Sequence, residues 1–365
     1  MGTFKVNGTD IKAIAEVIST RDARAKSAFF SSGKVLVSGL SDSSKTLANA
    51  PESQYANWGL HNIVGNKLLV NGVADTVARL GTRPNFASLT YLGGESSGST
   101  VELKYDKSTD TLKLQTTSAP VIVKYSATGK SVVVFELVGA GGGAGGGNVN
   151  FWGGATGGGG GGGGCSILGI IDMNLVPNST LTISVGTGGY GGGGKSAGGA
   201  GGASTISCSG YTSFSAGGGS GGGAGRSSGS SWAPGGEGGT YSLGNIPGVR
   251  YILLSSGERG GNSSSAGGSS TDTTFKIPID SVYITSTGKT GGSAGSGNNN
   301  TGGGGGGASG STIYGSCVPG NGGADRKNGG SGAYVGAGGG GGGANASGGG
   351  QSGGAGSAGA FRIFY

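Results

Sequence analysis

The chain has 365 residues, 94 of them glycine, and 24 Lys/Arg against 17 Asp/Glu give a net charge of +7. The excess is diffuse, with 15 of the basic and 10 of the acidic residues lying in the first 135 positions, so no basic block or helix marks a nucleic-acid partner. No run approaches the roughly 18 apolar residues of a membrane span. The opening residues lack a charged start with an apolar h-region, so synthesis as a soluble cytoplasmic product is expected. Cys165, Cys208 and Cys317 are odd in number and lack metal-ligand spacing, which points to neither a disulfide framework nor a zinc site.

Along the chain, Val6-Asn7-Gly8 reads as a turn closing a short strand. Asp10 is placed to cap a helix whose Ile11, Ile14, Ala15 and Ile18 keep helical spacing. Lys34–Ser38 alternates like a strand, and Asn71-Gly72 repeats the turn before a second apolar-periodic run to Leu80. Residues 1–90 therefore read as a small α+β attachment or oligomerisation region. Residues 91–131 form a connector built on a hairpin, with strands 100–105 and 111–115 around a turn at 106–110. Such a hairpin buries one face only. It must pack on the preceding segment, on the glycine-rich region, or on another copy of the chain.

From residue 132 the composition changes. Only 12 glycines precede Val138 and 82 come after it, in tracts such as 139–147, 157–164, 217–223, 302–307 and 338–343. Glycine-rich tracts usually remain coils, because ordering glycine costs more backbone entropy than ordering any other residue. Order requires an unusual source of cohesion. An extended polyproline-II-like segment without Cβ atoms supplies it by packing backbone on backbone and pairing N–H and C=O groups between segments. Val132–Val138, Leu181–Val185, Thr274–Ile279, Ser281–Thr285 and Ala360–Tyr365 are β-rich and supply the scaffold, the first and last clasping the region. The expected fold is mainly β or irregular, with a glycine-rich helix sandwich over 132–365.

Val-Val-Val-Phe-Glu-Leu-Val-Gly-Ala-Gly-Gly-Gly at 132–143, Leu-Thr-Ile-Ser-Val-Gly-Thr-Gly-Gly at 181–189 and Gly359-Ala-Phe-Arg-Ile-Phe-Tyr365 carry a resemblance. They resemble the framework of the glycine-rich domain of bacteriophage tail-fibre and tail-tip proteins, including adhesins at the long-tail-fibre tips of some T-even-like phages. The resemblance implies stacked polyglycine-II helices whose connecting loops touch the host surface. It also implies a place in the virion tail, contact with other tail or baseplate proteins through the amino-terminal region, and assembly as a trimer or a single cap. The chain departs from the T-even adhesins in lacking their amino-terminal fibre-capping region.

Other motifs compete poorly. Gly189–Ser196 matches a phosphate-binding loop, but the glycines after Lys195 cannot start the helix that such a loop needs, so no nucleotide cofactor is expected. His61 is the only histidine, which leaves nothing for a Ser-His or Cys-His site. Asp172, Glu237, Glu258, Asp272, Asp280 and Asp325 have no spacing that singles out a glycosidase pair. The expectation is a binding protein without catalytic or metal residues, recognising a bacterial surface receptor through Trp152, Trp232, Tyr241, Tyr251 and Tyr314. A structural or ice-binding protein and a tail-associated polysaccharide depolymerase are the alternatives.

Overall fold

The computed structural model describes residues 100–117, 121, 123–129, 131–149, 154–226, 232–270, 288–296, 301–310, 317–345 and 349–364, plus the backbone of short strands elsewhere. The expected helix at 11–18 and His61 lie outside the described residues. Two compact units are present, Met1–Asn85 with Lys276–Tyr283, and Phe86–Phe275 with Ile284–Tyr365. The first contains small antiparallel pairings, including Lys5–Val6 with Thr9–Asp10 and Lys67–Val70 with Val73–Ala74. The turns expected at Asn7-Gly8 and Asn71-Gly72 lie outside the described residues. The protein is mainly β, and among the described residues its helical content is the 3-10 turn Pro177–Ser179.

The second unit starts from two antiparallel sheets. Its strands are β1 (Ser88–Leu92), β2 (Val101–Asp106), β3 (Thr111–Thr116), β4 (Val123–Thr128), β5 (Val132–Val138) and β6 (Ser166–Asp172). They continue as β7 (Thr180–Ser184), β8 (Ser204–Ser207), β9 (Phe214–Ala216), β10 (Tyr241–Ser242), β11 (Val249–Ser255) and β12 (Ala360–Phe364). One sheet runs β4-β3-β2-β7-β8-β9-β10 and the other β11-β6-β5-β12-β1. Alternation decides what is buried: Val101 and Leu103, Leu112 and Leu114, Leu181 and Ile183 share one core with Phe135, Leu137, Ile167, Phe361 and Ile363 from the other sheet. The 100–115 hairpin pairs as its sequence indicates, Thr111 opposite Asp106, and β2 docks on β7, so its apolar face packs within this unit.

The first and last strands of the glycine-rich region are neighbours, with Leu137 opposite Phe361 and the Phe135 and Phe361 rings stacked at 6.5 Å. Gly169 faces Phe135 across the sheet because a Cβ there would meet that ring at 2.5 Å. On the other face of the same pair, Arg362 donates to Glu136 at 3.1 Å with both side chains almost fully buried.

Beyond these strands the chain continues as straight glycine segments. Segment 139–147 donates from residues 139, 142 and 145 to 157–165, from 140, 143 and 146 to 196–203, and from 141, 144 and 147 to 350–359. Its carbonyls accept from 186–194, 217–225 and 336–343. A period of three sends successive N–H groups to successive neighbours, so the segment is bonded on six sides. The same holds for 157–165, 302–310 and 336–343. The bonding places the segments in four rows: 196–203, 217–225, 233–240; then 186–194, 139–147, 157–165, 257–262; then 350–359, 336–343, 302–310, 265–270; then 327–332, 318–324, 289–296. Strand order is preserved into the rows, since 186–194, 196–203, 217–225 and 233–240 extend β7 to β10, while 257–262, 157–165, 139–147 and 350–359 extend β11, β6, β5 and β12.

Glycine is required here for its missing side chain. A Cβ on Gly161 would lie 2.0 Å from the Gly142 carbonyl oxygen, and one on Gly160 2.0 Å from that of Gly305, whereas one on Gly193 meets nothing within 4 Å. Gly161→Ala is therefore expected to destabilise by about 1–3 kcal/mol or more through overpacking. Gly193→Ala should be neutral or stabilise by up to about 1 kcal/mol through the unfolded chain. Denaturant midpoints of the two variants check the contrast. Arg362→Leu, which removes the buried cation that donates to Glu136, should cost about 3–5 kcal/mol in the same measurement.

Candidate functional site

Because each segment reverses direction at its ends, the second unit has a strand end, where the two sheets lie, and an end free of both sheets (the strand-free end), whose pairings among the described residues are the two-residue ones of Asn148–Val149 with Ala155–Thr156 and Ala344–Asn345 with Gly349–Gly350. At the strand-free end lie the described turns 194–195, 263–264 and 325–326 and the described residues 148–149, 154–156, 226, 232, 296, 301, 344–345 and 349, where the chain leaves one segment or enters the next. Nothing in the lattice fixes the length or chemistry of these connections. Side chains are therefore free to vary there.

Three of the connections are tight turns closed by backbone bonds of 2.9 Å, from Ser196 to Gly193, Ser265 to Asn262 and Lys327 to Ala324. In each, the third residue alone has positive φ: Lys195 at 70°, Ser264 at 60° and Arg326 at 61°. That is the type II pattern, whose third position favours glycine or asparagine. An L side chain there costs roughly 1–2 kcal/mol. In a chain with this much glycine, two of the three positions hold exposed cations.

The turns are also tied to their surroundings. Ser263 Oγ accepts from the Ala233 N–H at 3.0 Å and Asn262 Oδ1 from Gly235 N–H at 3.0 Å. Thr301 donates to Asp325 Oδ1 at 2.6 Å, and Arg326 Nη2 donates to Asn345 Oδ1 at 3.4 Å. Lys195 N–H bonds the Gly147 carbonyl at 2.9 Å. These side chains are presented from a braced surface.

Charge at this end is one-sided. Lys195, Arg226, Arg326 and Lys327 against Asp325 give 4 − 1 = +3, and residues 150–153, 227–231, 297–300 and 346–348 in the same connections add no ionisable side chain. Along the flanks the charges on the glycine segments balance, with Arg259 and Lys289 against Glu237 and Glu258, and Arg259 pairs with Glu237 at 3.3 Å. Burial raises the Glu258 carboxyl above its ordinary range. A shallow depression of about 570 Å³ runs along segment 318–324 between 289–296 and 327–332, and Ser293, Ser296, Asn321, Lys327, Asn328 and Ser331 supply its polar lining. Lys327 thus belongs both to the depression and to the strand-free end.

Of the aromatic residues singled out from sequence, the three described ones do not converge. Trp232 is half exposed at the strand-free end, at the start of segment 233–240. Tyr241, also exposed, stands at the other end of that segment in β10, and Tyr251 lies in β11 at the strand end. The whole of segment 233–240 separates Trp232 from Tyr241. Trp152 and Tyr314 lie outside the described residues. Lys195, read in sequence as part of a chance phosphate-loop match, sits in a turn between two glycine segments with no helix after it. The cations at turn centres were missed in sequence.

Among the described residues no group of three or more His, Cys, Asp or Glu is placed to hold a metal ion. No helix among them is long and apolar enough to cross a membrane. All three cysteines are free; Cys165 donates to the Thr240 carbonyl at 3.2 Å, and burial pushes its thiol up to about 12 and raises that of Cys317. A disulfide-exchange reagent at pH 8 should therefore label Cys208 and leave Cys165 and Cys317 unmodified until the chain is denatured, as peptide mapping would reveal. No family model matches the chain, and no curated protein matches it significantly.

Proposed function

We propose that the protein is a virion tail-fibre or tail-tip adhesin of a bacteriophage, in which a polyglycine-II sandwich holds connecting loops against a bacterial surface receptor. The observation that carries this reading is the division of labour in the second unit. A backbone lattice admits nothing larger than alanine or serine at a few interior positions, while one end gathers the connections between segments. A rigid slab with loops of free sequence at one end suits repeated change of binding partner without loss of fold. The likeness of 132–143, 181–189 and 359–365 to phage tail proteins points the same way. The amino-terminal region would attach the chain to other tail or baseplate proteins, as a trimer or a single cap. Several copies on one particle would multiply weak contacts.

Binding without catalysis is the simpler account. Glu237 is engaged by Arg259 on the flank, and Asp325 accepts a hydrogen bond from Thr301, so neither stands as half of a free carboxylate pair.

Exchanging residues 226–232 for a different sequence of equal length should change which bacterial strains the purified protein adsorbs to, while leaving its unfolding free energy within about 0.5 kcal/mol of the original. An unchanged strain pattern after exchange of each strand-free connection in turn would remove the basis of this reading.

A further inference from the structure

Resting on the adhesin reading, we infer that the strand-free end recognises an extended acidic polysaccharide, with Lys195 and Arg326 as its leading contacts and the depression beside Lys327 as a track for the chain.

The first ground is the turn positions. Type II turns ask for glycine at the third position, and the lattice around them is built of glycine, yet Lys195 and Arg326 occupy it with φ of 70° and 61°. Strain retained at an exposed turn, where glycine would relieve it, points to a use for the side chain itself. Both side chains are exposed and both are cations.

The second ground is the distribution of charge. Lys195 lies on the turn between 186–194 and 196–203, Arg226 on the connection from 217–225, and Arg326 with Lys327 on the turn in the opposite outer row. Cations on separate turns form no cradle around one phosphate. They match a ligand carrying negative charges at intervals along its length, which a polymer of acidic sugars does.

The third ground is the chemistry between the cations. The described residues of this end are mostly Asn, Ser, Thr and Gly, with Trp232 exposed and Val149 the only aliphatic side chain larger than alanine. A sugar chain calls for hydrogen-bond donors and acceptors with an aromatic face, and the depression lined by Ser293, Asn321, Asn328 and Ser331 continues that chemistry away from the tip.

The test uses the full-length protein with polygalacturonate as the anionic probe and dextran as the neutral one, together with adsorption to a panel of bacterial strains before and after mild periodate oxidation or protease shaving. The K195G/R326G variant removes two charges and relieves two strained turns. It should unfold at a temperature equal to or above that of the natural chain, yet bind polygalacturonate about tenfold more weakly. Arg250→Gln, at the strand end, should bind as the natural chain does. Binding should weaken as salt rises, dextran should not bind, and periodate should abolish adsorption to cells. Polygalacturonate binding that K195G/R326G or salt leaves unchanged would overturn the inference while leaving adhesion intact. Adsorption that survives periodate and is lost on shaving would overturn it in favour of an acidic protein receptor. Failure to adsorb to any strain, with polygalacturonate binding preserved, would instead count against the adhesin reading.

Discussion

The second unit depends on one interaction, the hydrogen bond from a glycine N–H to a carbonyl on a neighbouring parallel or antiparallel segment. Each such bond contributes only about 0.5–1.5 kcal/mol net. What makes the sum sufficient is proximity, because the approach that brings Gly161 to Gly142 or Gly304 to Gly261 leaves no room for a Cβ. Alanine is nonetheless accepted at Ala140, Ala144, Ala308 and Ala337, all fully buried, so the lattice has defined positions where a methyl group fits. Almost no array glycine has positive φ. The residue is used for its small size, and its conformational freedom matters only at points such as Gly336 and Gly349.

The β-sandwich solves the problem that a glycine lattice cannot solve alone. Glycine segments have no hydrophobic face and no pattern that fixes their order. Strands β5 to β12 have both, through alternating Val, Leu, Ile and Phe, and they hand their neighbour relations on to the segments that extend them. The pairing of β5 with β12, backed by the buried Arg362–Glu136 contact, closes the region on itself between residues 132 and 364. Entropy lost in aligning the first rows is thereby offset by conventional hydrophobic burial.

Much of the sandwich is legible in the sequence because side chains report it. Period-two alternation located the 100–115 hairpin and the strands at 132–138, 181–185 and 360–365 within a residue or so of their observed bounds. The rows are not legible, since consecutive glycines carry no periodicity and a threefold bonding pattern leaves no mark on an unvarying residue. Trp232 and Tyr241 illustrate the cost: nine positions apart, they looked like members of one surface and stand at opposite ends of a straight segment. Left-handed backbone at Lys195 and Arg326 was equally invisible, because a side chain tolerated under strain looks in sequence like any other.

The threefold bonding also sets a reading frame. Removing one residue from 139–147 would rotate everything after it by a third of a turn, aiming the N–H groups meant for 157–165 at a different neighbour. Insertions or deletions inside a glycine segment are therefore silent only in multiples of three, while the loops accept any length. Natural length variation in such a chain should be quantised in one compartment and continuous in the other.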